Sequence, residues 1–254
     1  MPWFPALSAA GLCPIATAAT PFTIAVIGDQ QRPVDDLAIY SSFTVQTDWM
    51  AANAQTENLR FVTQVGDIVE HGGDTAEYDR ALAAMATLDT ATNASGGTGV
   101  PWSVSYGNHE VNAGAPGTDP AGADADNFRQ YFGSAIGTHR YAGQPEFGGV
   151  SSNDLNTWHI IKSSNAVDAR EYLMLNLEYD VPGHTPDSTP APADVPAFDA
   201  IAWAWEIIGQ HPGMPTIITT HVFEGTAHGP PNNPYTAGPG RNSQLQIWDK
   251  LVKD

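Results

Sequence analysis

An apolar run that stops at a glycine and a metal-capable side chain occurs three times in the first half of the chain, and this pattern constrains the fold most. The three examples are residues 22–29, 61–67 and 102–109, which end in Gly28 and Asp29, in Gly66 and Asp67, and in Gly107, Asn108 and His109. A fourth apolar run, residues 215–220, ends in His221 without a glycine. Runs of this length and β-branched content are typical of buried strands. Ligands gather at the carboxyl ends of strands in α/β sheets, so the pattern predicts one shared site.

Helical patterns lie between and after these predicted strands. The predicted helices are residues 37–58, 75–91, 126–132, 197–211 and 243–253. Thr75 is placed to cap the second of them, and residues 30–36 predict a loop. A strand, a helix and a strand in this order predict a parallel sheet with right-handed crossovers. Two further predicted strands, residues 157–162 and 172–177, would pair in a second sheet, so the expected class is α/β in a single domain.

The charge of the chain limits its partners. It has 254 residues, with 28 Asp and Glu against 10 Lys and Arg, and a formal net charge of -18. Such a surface repels phosphate backbones, so we expect no nucleic-acid binding. The longest apolar stretches are of strand length, and we expect no membrane span. An anionic substrate would therefore be attracted by metal ions rather than by basic side chains. The sequence does not predict an oligomeric state.

The N-terminal segment has the composition of an export signal without its basic part. Residues 1–21 are rich in Ala and Pro, and residues 16–18 resemble a processing site, but no Lys or Arg precedes Arg32. We interpret the segment as a flexible extension or the remnant of an export signal, which favours a secreted or periplasmic protein over a soluble cytoplasmic one. Cys13 is the single cysteine, which excludes an internal disulfide and a cysteine-rich zinc site.

Two carboxylates and an amide supply candidate oxygen ligands. Asp29 and Gln31 are two residues apart, so in an extended conformation their side chains would point to the same side. An Asp in such a turn can instead cap backbone amides. The carboxylate of Asp67 offers two oxygens and is suited to bridging two cations about 3.5–4 Å apart, the arrangement used for displacement at phosphorus.

The segment around Asn108 carries the most specific signal. The carbonyl oxygen of Asn108 is a metal ligand candidate, and His109 is suited to hydrogen-bond a phosphoryl oxygen or to protonate a leaving alkoxide. Glu110 follows and is expected to orient His109. His221 presents an imidazole at a strand end, as a metal ligand should. The alternative is that these side chains only satisfy local turns.

In this order, the motifs resemble those of the calcineurin-like metallophosphoesterase family. The segments that carry the resemblance are residues 29–31 (DQQ), 66–72 (GDIVEHG), 107–110 (GNHE) and His221. The resemblance implies a four-layer α/β/β/α sandwich of two mixed sheets over residues 22–254. It also implies two divalent metal ions, of Mn, Fe, Zn or Mg. Asp29 and Gln31 would bind the first ion, Asp67 would bridge the pair, Asn108 and His221 would bind the second, and His109 would be the acid near the phosphate.

The sequence departs from the family pattern at two places. Gln31 stands where many members have His, which favours harder cations. The closing Gly-His-x-His motif does not occur in the sequence, and His228 is poorly placed to replace it. We therefore expect a domain that is shortened at its C-terminus relative to the family, with more water on each ion.

Two functions follow from these observations. The first is a metal-dependent phosphoesterase that hydrolyses a small phosphate mono- or diester with a hydroxide held between two metals, in which Asn108 and His109 contact the substrate. The second is a non-catalytic module that keeps the scaffold and binds a metal or a phosphate. The intact bridge and acid residues, Asp67 and His109, favour the enzyme, whereas the missing closing motif favours the module.

Overall fold

The computed structural model describes residues 21–111, 125–135, 137–167, 169–179, 181–186, 188–189, 198–221, 242 and 244–253. Nearly all of the predicted N-terminal extension, residues 1–21, lies outside these ranges. So do His228 and most of the loops predicted after residues 111 and 221. Among the described residues, no helix is long and apolar enough to cross a membrane.

The first sheet is parallel and has the order β1-β2-β3. Its strands are β1 (Thr23–Ile27), β2 (Leu59–Gln64) and β3 (Trp102–Val104). Helix α2 (Ser41–Asn53) connects the first two strands, and α3 (Thr75–Ala86), followed by a 3-10 turn at Thr87–Thr90, lies between the second and the third. The parallel pairing agrees with the strand, helix, strand order of the sequence. All three strands therefore end at the same edge.

Two local predictions in this half are wrong. Residues 30–36 were expected to form a loop, but Gln31–Asp35 form a short helix, α1. Pro33 is compatible with a first helical turn, and the turn places Val34 in the core with no exposed surface. The N-cap of α3 is Asp74 rather than Thr75, because the Asp74 carboxylate accepts a hydrogen bond from the N–H of Ala76 at 2.8 Å.

The second sheet is mixed and has the order β4-β5-β6-β7. Its strands are β4 (Phe147–Val150), β5 (Thr157–Lys162), β6 (Glu171–Asn176) and β7 (Thr216–Thr219). The first three strands pair antiparallel, and β7 pairs parallel with β6. The sequence analysis missed β4 because Gly148 and Gly149 weaken its strand signal. In the structure, the ring of Trp158 occupies the space that a side chain at Gly148 would need.

The remaining helices are α4 (Asp126–Phe132), α5 (Ala200–Gln210) and α6 (Gln244–Ile247), which continues as a π-helical turn over Trp248–Val252. A large apolar cluster packs α2, α3 and α4 with the first sheet, through Phe43, Tyr78, Phe132 and Val62. A second cluster packs α5 and α6 with β6, through Ile201, Ala204, Ile247 and Leu173. The protein is thus a mixed α/β structure with two sheets, each of which has its own helical partners.

The two sheets also contact each other. Phe61 of β2 packs against Ile161 and Met174 of the second sheet. Beside this cluster, the side-chain oxygen of Asn176 accepts hydrogen bonds from Thr63 at 3.0 Å and from Thr219 at 2.7 Å. Because Thr63 is in β2 and Thr219 is in β7, these bonds tie together the two strands that lead to Asp67 and His221.

Candidate metal centre

The chain makes a tight, left-handed turn directly after β2. Gly66 has φ +103° and Asp67 has φ +53°. A side chain at Gly66 would come within 2.7 Å of the Cβ of His221, and one at Gly107 would overlap the backbone nitrogen and carboxylate of Asp67. Glycine at both positions therefore lets the three segments approach closely. A positive φ is uncommon for a residue with a side chain, although Asp tolerates it better than most.

The turn brings Asp67 into contact with His221. Asp67 is 4% exposed, and its Oδ2 lies 3.1 Å from Nε2 of His221. Oδ1 of Asp29, from the end of β1, lies 3.8 Å from Nδ1 of the same ring. Asp29, Asp67 and His221 form a group whose potential ligand atoms all lie within 4.8 Å of one another. Two carboxylates and an imidazole are a suitable ligand set for a divalent cation.

The orientation of His221 directs Nε2 at the carboxylate of Asp67, where it could bind a metal in exchange for a proton. Nδ1 lies 3.1 Å from the carbonyl oxygen of Val65, which can only accept, so Nδ1 carries the proton and Nε2 faces Asp67. Burial by itself lowers the pKa of His221, but the hydrogen bond and charge of Asp67, with two further carboxylates nearby, raise it to about 9. Burial raises the pKa of Asp29, against the opposing charge of His221. The site therefore stabilises positive charge next to Asp67.

Gln31 does not follow Asp29 in the extended conformation that was expected. It is the first residue of α1, so the period-two argument that paired it with Asp29 is wrong. Its side-chain oxygen is nevertheless buried and has no hydrogen-bond partner among the described residues. An unsatisfied buried oxygen is costly, and a cation would satisfy it.

Asn108 and His109 lie beside Asp67. The backbone N–H of His109 donates to Oδ1 of Asp67 at 3.0 Å, and Nε2 of its ring lies 3.9 Å from Oδ2. Asn108 is 7% exposed, and its neighbours in the chain, Gly107 and His109, both lie against Asp67. The Nδ1–H of His109 donates to the carbonyl oxygen of Glu70 at 2.9 Å, which leaves Nε2 facing the carboxylates.

Glu110 has a different role from the one expected. It was predicted to orient His109, but its fully buried carboxylate accepts the backbone N–H groups of Asp67, Ile68, Val69 and Gly107, at 2.6–3.3 Å. Burial and the charge of Asp67 raise the pKa of Glu110 to about 8. The four N–H donors oppose that shift because they stabilise the carboxylate form. Glu110 thus shapes the turn that carries Asp67.

Three residues near the site were not singled out from the sequence. The carboxylate of Glu70 lies 3.8 Å from Nδ1 of His109 and 3.5 Å from the guanidinium of Arg32. Gln64 is fully buried, and its side chain bonds the backbone of Gly66 at 2.9 Å and 2.7 Å. Glu77 in α3 bonds the segment that follows Asp67. The signal for Gln64 was a polar residue inside an apolar strand; Glu77 gave no local signal.

The other described histidines lie outside this group. His71, Glu77 and Asp35 form a second group with ligand atoms within 4.8 Å of one another, but Nδ1 of His71 already lies 2.7 Å from Glu77. His139 and His159 are buried among aromatic rings between β4, β5 and the first sheet. They therefore belong to the interior of the fold rather than to its surface.

Comparisons with known proteins give distant relatives. No family model matches the chain. YvnB of Bacillus subtilis (strain 168), an uncharacterized protein, is 24% identical over 181 residues, which are 71% of this chain and 11% of that protein. The chain thus spans a small part of the length of this relative. A dimetal phosphatase from Danio rerio is similar in structure with a TM-score of 0.41 and 16% identity, over 87% of this chain and 74% of that one. A likeness of this size does not bear on function.

Proposed function

We propose that the chain is a metal-dependent phosphoesterase with the four-layer arrangement of the calcineurin-like metallophosphoesterases, acting on a small phosphate mono- or diester. The observation that carries this proposal is the convergence of Asp29, Asp67 and His221, with the ring of His109 beside them. Four separate segments of the chain contribute to that cluster. Side chains from distant segments converge in this way where a fold binds or transforms a ligand.

The donor set fits divalent cations. Asp29, Gln31, Asp67, Asn108 and His221 are the residues that would hold them. The unpartnered buried oxygen of Gln31 and the carboxylates of Asp29 and Asp67 favour a positive charge at this place. When bound, the cations would withdraw electron density from a phosphoryl group and lower the pKa of an attacking water. Their identity is open among Mn, Fe, Zn and Mg.

The chain itself supplies an acid and its orientation. His109 would lie over the phosphate, where its Nε2 can donate to a phosphoryl oxygen or protonate the departing oxygen. The bond from its Nδ1–H to the carbonyl oxygen of Glu70 fixes the ring, and the Glu70 carboxylate lies 3.8 Å from the same nitrogen. The carboxylate of Asp67 holds the backbone of His109 by accepting its N–H.

One observation favours a second candidate, a metal- or phosphate-binding module without turnover. Among the described residues, the group formed by Asp29, Asp67 and His221 contains a single imidazole, and such a group suits one cation. One cation would not provide a two-metal site for displacement at phosphorus.

Metal content and hydrolysis separate the two functions. The purified chain would be loaded with Mn²⁺, analysed for metal, and assayed with 4-nitrophenyl phosphate and bis(4-nitrophenyl) phosphate, beside His109→Ala and Asp67→Asn. The enzyme requires about two metals per chain and turnover that falls ~10²–10⁴-fold in His109→Ala while the metal is retained. One metal per chain and no turnover of either ester would establish the binding module instead.

A further inference from the structure

The segment after β2 is held by two buried carboxylates. The consecutive backbone N–H groups from Asp67 to Val69 donate to Glu110, and those of Glu70 and His71 donate to Glu77. This segment is neither helix nor strand, so its amides have no regular backbone partners. The two side chains take their place. Glu110 accepts hydrogen bonds from the amides of Asp67 and the two residues after it, and Glu77 accepts those of the next two residues, which adjoin His109.

The side chain of Glu77 is buried and makes short hydrogen bonds to this segment. It lies in the first turn of α3 and is 1% exposed. Its Oε2 accepts the N–H of Glu70 at 2.6 Å and that of His71 at 3.0 Å, and its Oε1 lies 2.7 Å from Nδ1 of His71. An acid at this place in a helix usually reaches back to the N-cap residue. Here it reaches past Asp74 to the preceding segment.

A single peptide unit connects Glu77 to His109. The N–H of His71 and the carbonyl of Glu70 belong to the same planar peptide group. On one side the N–H donates to Glu77, and on the other the carbonyl accepts the Nδ1–H of His109 at 2.9 Å. Because the unit is planar, fixing the N–H fixes the direction of the carbonyl. Glu77 therefore sets the position of the acceptor that orients His109.

We propose that Glu77 is a positioning residue for His109, which acts through the peptide group between Glu70 and His71. Its effect on catalysis rests on the proposed phosphoesterase function; its effect on the His109 ring does not. Without this anchor the peptide group can rotate, the Nδ1–H of His109 loses its acceptor, and Nε2 leaves the position from which it meets the substrate.

Two variants separate the effect of the side-chain length of Glu77 from the effect of its charge. Glu77→Gln keeps the length, so its oxygen can accept both N–H groups while its NH₂ faces the ring of His71. Glu77→Asp keeps the charge but is one methylene shorter, and it cannot reach both amides. Asp79→Ala on the same helix is the control, because Asp79 is exposed and bonds only the hydroxyl of Tyr131 among the contacts described. Thermal melts would check that all three variants fold.

The first measurement follows the ring directly by proton–nitrogen NMR of magnesium-loaded protein at pH 8, with the His109 Nδ1–H signal assigned by its loss in His109→Ala. We expect the signal to persist in the wild type, Glu77→Gln and Asp79→Ala, and to broaden or shift in Glu77→Asp. An unchanged signal in Glu77→Asp would overturn the proposal, whether or not the protein hydrolyses an ester.

The second measurement uses the leaving group. An acid that protonates the departing oxygen matters for phenyl phosphate and hardly for 2,4-dinitrophenyl phosphate, whose leaving group needs no proton. We expect Glu77→Asp to lower kcat for phenyl phosphate ~10–100-fold with little change for the dinitrophenyl ester or in KM, and Glu77→Gln to restore the wild-type ratio. Equal losses on both esters would contradict an action of Glu77 through protonation of the leaving group. If no form of the protein turns over either ester, the phosphoesterase function fails and the NMR result alone decides the role of Glu77.

Discussion

The carboxylate of Asp67 faces both histidines of the candidate site. Oδ2 is 3.1 Å from Nε2 of His221 and 3.9 Å from Nε2 of His109, while Oδ1 accepts the N–H of His109. The backbone of Asp67 is in the left-handed region, which costs of order 1–3 kcal/mol for a residue with a side chain. Glu110 and Gln64 hold the turn in that conformation through its amides. A strained residue that several buried groups hold in place is typical of a functional site.

Replacement of Asp67 by Asn tests its role as a ligand. Asn keeps an oxygen for the N–H of His109 and places an NH₂ opposite Nε2 of His221, so we expect the fold to survive. The carboxylate that we propose as a metal ligand is lost, and Mn²⁺ affinity should fall by more than the roughly 10–100-fold that the loss of an outer partner of a ligand costs. Calorimetric titration with Mn²⁺ measures this. Thr90→Ala, at an exposed site in the 3-10 turn, is the control. Equal affinity in Asp67→Asn would exclude Asp67 as a ligand.

The buried ring of His159 makes the free energy of unfolding depend on pH. It is fully buried in β5, and burial, with a smaller contribution from His139, lowers its pKa from 6.5 to about 3. In the unfolded chain this histidine takes up a proton near pH 6.5, whereas in the folded chain it stays neutral to about pH 3. The stabilisation is therefore complete above pH 6.5 and is lost as the pH falls from there towards 3, by about 1.4 kcal/mol for each pH unit.

The variant His159→Phe removes this contribution. Urea unfolding at pH 7.5, 6.0, 5.0 and 4.5 should give a free energy of unfolding that falls less steeply with acid in the variant than in the wild type. The comparison uses the slope against pH, so a change in packing that shifts all values equally does not affect it. Parallel pH dependences in the two proteins would contradict the neutral, buried state of His159.

At the scale of the elements, Asn176 connects the two sheets. Its side-chain oxygen accepts Thr63 of β2 and Thr219 of β7, and its NH₂ donates to Thr157 of β5 at 3.3 Å. The residue is 1% exposed. The segments that follow β2 and β7 carry Asp67 and His221, so this polar contact helps to set their separation.

We expect Asn176→Leu to destabilise the protein by about 2–4 kcal/mol, because the buried hydroxyl of Thr63 loses its acceptor, whereas the hydroxyl of Thr219 keeps the carbonyl oxygen of Leu175, at 3.3 Å, as its acceptor. Adding Thr63→Val and Thr219→Val to the same chain should recover part of the loss, since apolar groups then meet apolar groups. Urea unfolding of the single and triple variants measures both effects, and Asp48→Ala on the exposed side of α2 is the control. A triple variant less stable than Asn176→Leu would show that the two hydroxyls are satisfied without Asn176.

The sequence predicts the strands of this fold better than the details of the site. The runs that became β1, β2, β5 and β6 were visible because β-branched and aromatic residues cluster there, and the parallel order followed from the intervening helices. Helix α1 was missed since its signal is the burial of Val34, which depends on α3 and the core. The roles of Glu77 and Glu110 were out of reach for the same reason. Each side chain accepts hydrogen bonds from amides in another segment of the chain, and nothing in the local sequence marks that.

At the scale of the whole molecule, the net charge of -18 and the candidate site both favour the binding of a cation. Asp29, Asp67 and Glu70 add negative charge at one edge of the sheets, and Arg32 and the ring of His221 oppose it within contact distance. Uncompensated negative charge opposes the compact state. A divalent cation at this edge would relieve repulsion both within the site and across the molecule.

We therefore expect metal binding to stabilise the whole chain. A cation that binds only the folded state stabilises it by about 2.7 kcal/mol at a concentration of 100 Kd, which for a chain of this size corresponds to a rise in Tm of roughly 5–10 °C. Calorimetric scans of chelator-treated protein with increasing Mn²⁺ measure the shift. Asp67→Asn serves as the matched variant, and it should show almost none of it, whereas Asp79→Ala should respond like the wild type. An equal rise in Tm in Asp67→Asn would mean that Mn²⁺ acts through the acidic surface in general. The stabilisation would then not support a metal centre at Asp29, Asp67 and His221.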